Sequence, residues 1–61
     1  MKSQELELLQ VTAETLSITI SNVQLSENRY KVFIGSFSYY HYEKALSALT
    51  TVYLKRRTKW T

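Results

Sequence analysis

Apolar and polar residues alternate most regularly over residues 16–21, LSITIS. This period of two, with its β-branched side chains, predicts a strand. Asn22 interrupts the alternation and indicates a bulge. A polar turn at residues 26–28 and a second strand at residues 29–37 then complete a predicted hairpin. Its expected core face places one apolar set opposite another: Leu16, Ile18 and Ile20 against Tyr30, Val32 and Ile34.

A long amphipathic helix is predicted to follow the hairpin. Ser38 is the expected N-cap, and Phe37 and Tyr42 have the spacing of a hydrophobic staple around it. The TTVY segment at residues 50–53 has strand propensity, but no turn residue separates it from the preceding helical pattern. We therefore predict that the helix continues through it. The apolar stripe follows i, i+3, i+4 and i+7 spacing: Tyr42, Ala45, Leu46, Leu49, Val52 and Tyr53.

Residues 4–14 fit two patterns. Leu6, Leu9 and Ala13 have helical spacing, whereas Leu9, Val11 and Ala13 also alternate as in a strand. A short helix capped at Ser3 is favoured, and a strand stays open. The predicted fold is a single α+β domain over residues 1–61. It comprises a two-stranded or three-stranded antiparallel hairpin packed by a long C-terminal helix, with a short N-terminal helix or strand.

The residue types present argue against catalysis. The chain has 61 residues, no Cys, no Asp and a single histidine, His41. Disulfides and thiolate metal sites are excluded, and a serine–histidine–acid relay has no surrounding motif. We therefore expect a binding protein with no enzymatic activity, no metal and no cofactor. His41 is predicted to be an ordinary surface or half-buried residue at the start of the helix.

Other features bear on location and assembly. No apolar run approaches the roughly 20 residues that a membrane span needs, and the N-terminal residues lack a secretory signal pattern. A cytoplasmic protein with no membrane partner is expected. Because so short a chain buries a small core, a homodimer is also an expectation.

Charge is divided unevenly along the chain. Residues 1–27 carry a net charge of −3, and residues 28–61 carry +6 together with all eight aromatic residues. Clustered cations neutralise phosphates, and aromatic rings stack on exposed bases, so this division predicts a DNA or RNA ligand. The candidate nucleic-acid-binding residues lie on the second strand and at the C-terminal end: Arg29, Lys31, Lys55, Arg56, Arg57, Lys59 and Trp60.

A second hypothesis is a protein-interaction module that docks on a larger protein. The segment SYYHY at residues 38–42 has more rings than one face can bury, and Tyr40 is predicted to be exposed. An exposed tyrosine is a common anchor of protein interfaces. Both hypotheses fit a small regulatory protein or modulator of phage or plasmid type.

Residues 29–37, RYKVFIGSF, followed by Glu43-Lys44-Ala45-Leu46, resemble a strand–Gly-x-Phe–helix segment found in two families. One is the hairpin-plus-helix DNA-binding module of phage-type integrases and AP2 domains. The other is the peptidoglycan-binding SPOR domain. The integrase resemblance implies a three-stranded sheet with residues 5–12 as a strand. The SPOR resemblance implies a second half and an export signal. The resemblance does not assign the chain to either family.

Overall fold

The computed structural model describes residues 1–58 and has two helices and three strands. Helix α1 spans Ser3–Thr15, and helix α2 spans Tyr42–Thr58. Strands β1 (Ser21–Ser26), β2 (Arg29–Ile34) and β3 (Phe37–Tyr39) form an antiparallel sheet in the order β1-β2-β3. The predicted α+β class is confirmed, with the three-stranded form of the sheet. Neither described helix is long and apolar enough to cross a membrane.

Helix α1 resolves the ambiguity at residues 4–14 in favour of the helix. The backbone N–H of Lys2 donates a 2.9 Å hydrogen bond to Oε1 of Glu5, so Lys2 occupies the N-cap position predicted for Ser3. Leu6, Leu9 and Ala13 are the buried residues of the helix. Residues 5–12 are therefore not the strand that the integrase resemblance implies.

The predicted strand at residues 16–21 is wrong, because most of this segment ends α1 and leads into the sheet. The N–H of Ile18 donates to the carbonyl of Ala13 at 2.8 Å, and the N–H of Ser17 donates to that of Glu14 at 3.1 Å. Ser17 has a φ of 59°. The two hydrogen bonds and this left-handed residue together form a Schellman cap, with serine at the position that glycine usually occupies. Leu16, Ile18 and Ile20 still pack on the core, as predicted, although they come from a cap and a connection.

The first strand lies five residues later than predicted. β1 pairs with β2 from Ser21 opposite Phe33 to Ser26 opposite Arg29, with a turn at residues 27–28. The register shifts between Gln24 and Ser26, so the irregularity predicted at Asn22 lies at Leu25 instead. β1 is exposed along its whole length, and β2 is the only element that it contacts within residues 1–58.

A tight turn divides the predicted second strand into two. Ile34 pairs with Phe37, and Gly35 and Ser36 form a two-residue loop between them. Gly35 has a φ of 63°, and a positive φ at the first loop position alone is typical of a type II′ hairpin turn. Ser38 lies in β3 opposite Phe33, so it is not the helix cap, and the staple predicted around it is wrong.

Helix α2 begins at Tyr42 and continues through the TTVY segment, as predicted. The hydroxyls of Thr50 and Thr51 donate to the carbonyls of Leu46 and Ser47, which satisfies these polar groups within the helix. Both helices contact each other and β2. The two helices run in the same direction. Met1, just before α1, hydrogen bonds to Tyr40 just before α2, and Arg56 near the end of α2 hydrogen bonds to Ser17 just after α1. The buried core consists of Leu6, Leu9, Ala13, Ile18, Val32, Ile34, Ala45 and Leu49.

The predicted faces of β2 and α2 are confirmed. Val32 and Ile34 are buried, and Tyr30 is partly buried against the same core. The members of the α2 stripe are either buried, as Ala45 and Leu49 are, or packed against the buried cluster. The two helices therefore cover one face of the sheet and leave the other face available to a ligand.

Candidate nucleic-acid interface

The open face of the sheet is the side of β2 that faces away from the helices. Arg29, Lys31 and Phe33 alternate with the core residues of β2 and therefore point to this side. Val23 lies opposite Lys31 on β1, and Ser38 lies opposite Phe33 on β3. Directly paired residues of antiparallel strands share a face, so β1 and β3 extend the open face on both sides.

Lys31 lies at the centre of the open face and interacts with two aromatic rings. Its Nζ atom is 5.1 Å from the ring centroid of Phe33 and 5.6 Å from that of Tyr40. Both distances are within the range of a cation–π interaction. Tyr40 follows β3 and is 52% exposed, so the prediction that this ring is exposed is confirmed. The contacts hold a cation and two rings in one place.

Backbone hydrogen bonds position Tyr40 next to β2. The Met1 nitrogen donates to the carbonyl of Tyr40 at 2.6 Å and to that of Tyr30 at 3.1 Å. The N–H of Tyr30 donates back to the carbonyl of Met1 at 2.9 Å. Met1 therefore links the beginning of β2 to the segment that follows β3. His41 is exposed in the same segment, as predicted, but it precedes α2 and does not lie in the first turn of the helix.

The basic end of α2, residues 55–57, lies elsewhere. Lys55, Arg56 and Arg57 are exposed in the last turns of the helix. Arg56 donates from Nη1 to the carbonyl of Ser17 at 2.7 Å, and Cζ of Arg57 is 5.8 Å from the ring centroid of Tyr53. One of the three cations therefore has a structural partner in the α1 cap. The predicted site residues Lys59 and Trp60 lie outside the described residues.

The structure separates the predicted site residues into two groups. Tyr40 precedes the first turn of α2, whereas Lys55 lies 13 residues after its start at Tyr42, about 20 Å along the helix axis. Arg29 and Lys31 therefore share the open face with Tyr40 and not with the basic end of α2. A ligand that touches both groups would have to reach around the sheet.

A groove between β3 and α2 lies next to the basic end. It has a volume of about 410 Å³, and Phe37, Lys44 and Lys55 contribute to its lining. Phe37 is 68% exposed and pairs with Ile34, so it belongs to the helix side of the sheet. This groove is a second place where a ring and cations meet, on the face opposite to Lys31.

The sequence-based list of site residues omitted Phe33. Phe33 lies two residues after Lys31 on the same face of β2, and the residue types alone did not mark it as a ligand contact. Tyr40 was assigned to a separate protein interface. The period-two pattern of residues 29, 31 and 33 is the signal that identifies one basic and aromatic face.

Comparison with protein-family models, curated protein sequences and solved structures gives no match for this chain. The interpretation of the site therefore depends on its own geometry.

Proposed function

We propose that this chain is a small nucleic-acid-binding or regulatory protein that contacts its ligand through the open face of the sheet. The observation that carries the proposal is the contact of Lys31 with the rings of Phe33 and Tyr40, with Arg29 on the same strand face. Cations of this kind neutralise phosphates, and rings beside them stack on bases. The basic end of α2 supplies further attraction for a polyanion at longer range.

The proposal includes no catalytic step. The ligand is held by charge and by contact with the rings, so its affinity falls as salt increases. A cytoplasmic location belongs to the same proposal, because nucleic acid is the ligand. The homodimer predicted from chain length also stays a prediction.

A mobility-shift experiment tests this function. Non-specific DNA and RNA are titrated with the protein at low and moderate salt. A complex at low salt that weakens at moderate salt is expected, and the double variant Arg29→Gln/Lys31→Gln should weaken it. Lys55→Gln/Arg57→Gln removes the same charge from the other group and should weaken the complex less, since that group attracts the ligand only at longer range. If the wild-type protein forms no complex even at low salt, the proposal is rejected.

The second candidate is a protein-interaction module, which the strong exposure of Phe37 and Tyr40 favours. Exposed rings are frequent anchors in protein interfaces. Capture of partners from a lysate before and after nuclease treatment distinguishes the two candidates. A partner held only through nucleic acid is lost on nuclease treatment, whereas a direct protein partner is retained and depends on Phe37 or Tyr40.

A further inference from the structure

The open face contains few cations for a surface that binds phosphates alone. Arg29 and Lys31 are its two positive residues within the described part of the chain. With two phosphate contacts, a plot of log affinity for duplex DNA against log salt concentration would have a slope of only about −2. Charge at this face is therefore a modest source of binding energy, and another interaction is needed for useful affinity.

The two rings that contact Lys31 supply that interaction. Tyr40 is half exposed, and Phe33 is partly exposed on the same face. The Lys31 ammonium lies over both rings. A base that stacks on the exposed part of either ring therefore has its phosphate near a positive charge. Neither helix covers this side of β2, and the flanking residues Val23 and Ser38 are small enough to leave room for bases.

Bases in a duplex are already stacked on one another and paired, so they cannot lie flat on a protein ring unless the duplex opens. Unpaired bases have free faces, and stacking on aromatic side chains is the main attraction in many single-strand-binding surfaces. We infer that the open face, through the Phe33 and Tyr40 rings that contact Lys31, binds single-stranded nucleic acid in preference to duplex. This inference rests on the proposed function and specifies the ligand class of the same site.

Fluorescence anisotropy with a short labelled oligothymidylate, and with the same strand annealed to oligoadenylate, tests the inference. The single strand is expected to bind more tightly than the duplex at equal salt. Tyr40→Leu should weaken single-strand binding by at least about fivefold, the lower end of the effect of losing one stacked base. Tyr40→Phe keeps the ring and should retain binding. Phe33→Leu is the companion variant, and its fold is checked by circular dichroism.

Phe37→Leu is the matched control. Phe37 is an even more exposed ring on the neighbouring strand, but it lies on the helix side of the sheet. Its replacement should leave single-strand affinity unchanged. If Phe37→Leu weakens binding and Tyr40→Leu does not, the ligand lies in the groove between β3 and α2, and the inference is overturned.

The remaining outcomes separate the inference from the function on which it rests. Equal affinity for duplex and single strand, with Tyr40→Leu unchanged, would overturn the stacking site while leaving a charge-based nucleic-acid-binding protein. Absence of binding to either probe at low salt would overturn the proposed function itself.

Discussion

The Nη1 atom of Arg56 donates a 2.7 Å hydrogen bond to the carbonyl oxygen of Ser17, 39 positions earlier in the chain. This bond joins the last turns of α2 to the cap of α1. A cation at the C-terminal end of a helix also interacts favourably with the helix dipole. The contact therefore assigns a structural role to one residue of a segment that the sequence marks only as basic.

We expect Arg56→Gln to lower the thermal unfolding midpoint more than Lys55→Gln does. Both variants remove one positive charge from neighbouring positions, but only Arg56 donates to the α1 cap among the hydrogen bonds of residues 1–58 described above. Circular dichroism melts at equal salt measure the difference. Equal midpoints for the two variants would show that the bond to Ser17 does not contribute to stability.

Backbone conformation predicts opposite effects at two positions. Ser17 and Gly35 both have a left-handed backbone, with φ of 59° and 63°. That conformation costs a residue with a Cβ about 1–2 kcal/mol. Gly35→Ala should destabilise by about 1 kcal/mol. No atom beyond the two neighbouring residues lies within 4 Å of the added methyl carbon, so the effect is conformational. Ser17→Gly should stabilise by less than about 1 kcal/mol, since glycine also has more freedom in the unfolded chain. Urea unfolding checks both, and stabilisation by Gly35→Ala would contradict the assigned turn.

Two adjacent leucines in α1 should respond differently to the same substitution. Leu9 is fully buried, whereas Leu8 is 55% exposed. Leu9→Ala removes core contacts and is expected to cost about 2–5 kcal/mol, a large share of the stability of so small a domain. Leu8→Ala should stay within about 0.5 kcal/mol of the wild type. Similar losses in urea unfolding would show that the helix is packed in another orientation.

The basic end of α2 should influence binding mainly through salt. We expect Lys55→Gln/Arg57→Gln to reduce the slope of log affinity against log salt by less than about 2, the change that two lost phosphate contacts would give, because this group attracts the ligand at longer range. The ratio of single-strand to duplex affinity should stay unchanged, because Phe33 and Tyr40 remain. Anisotropy titrations over a salt series measure both quantities. A changed ratio with an unchanged slope would mean that this segment stacks on bases.

The exposed edge of β1 provides a test of the predicted homodimer. Its six residues, SNVQLS, include no charge and no proline, the residues that usually protect an edge strand from pairing. Antiparallel pairing with a second copy would not place Glu27 of one chain beside Glu27 of the other. Sedimentation at two concentrations should show concentration-dependent association that Val23→Lys reduces. Val11→Lys, the same substitution at an exposed valine of α1, is the control, and a monomer at both concentrations would contradict the prediction.

The two-residue turn at Gly35 and Ser36 was readable from sequence, although it was not predicted. A Gly-Ser pair between Ile34 and Phe37 is a recognised hairpin signal. The α1 cap was harder to detect. Serine replaces the glycine that normally marks such a cap, and the apolar residues around it have the two-residue spacing of a strand. Local spacing alone could not distinguish a strand from a cap whose Ile18 packs back onto the core.

The sequence by itself determined the α+β class, the apolar stripe of α2 and the inward face of β2, because periods of 3.6 and 2 record which side of an element is buried. It also located the cations. Only the tertiary structure decided which of them act together, since that depends on pairing between distant segments. Register and the hydrogen bonds of Met1 bring Tyr40 to Lys31, while the length of α2 keeps Lys55 away from both.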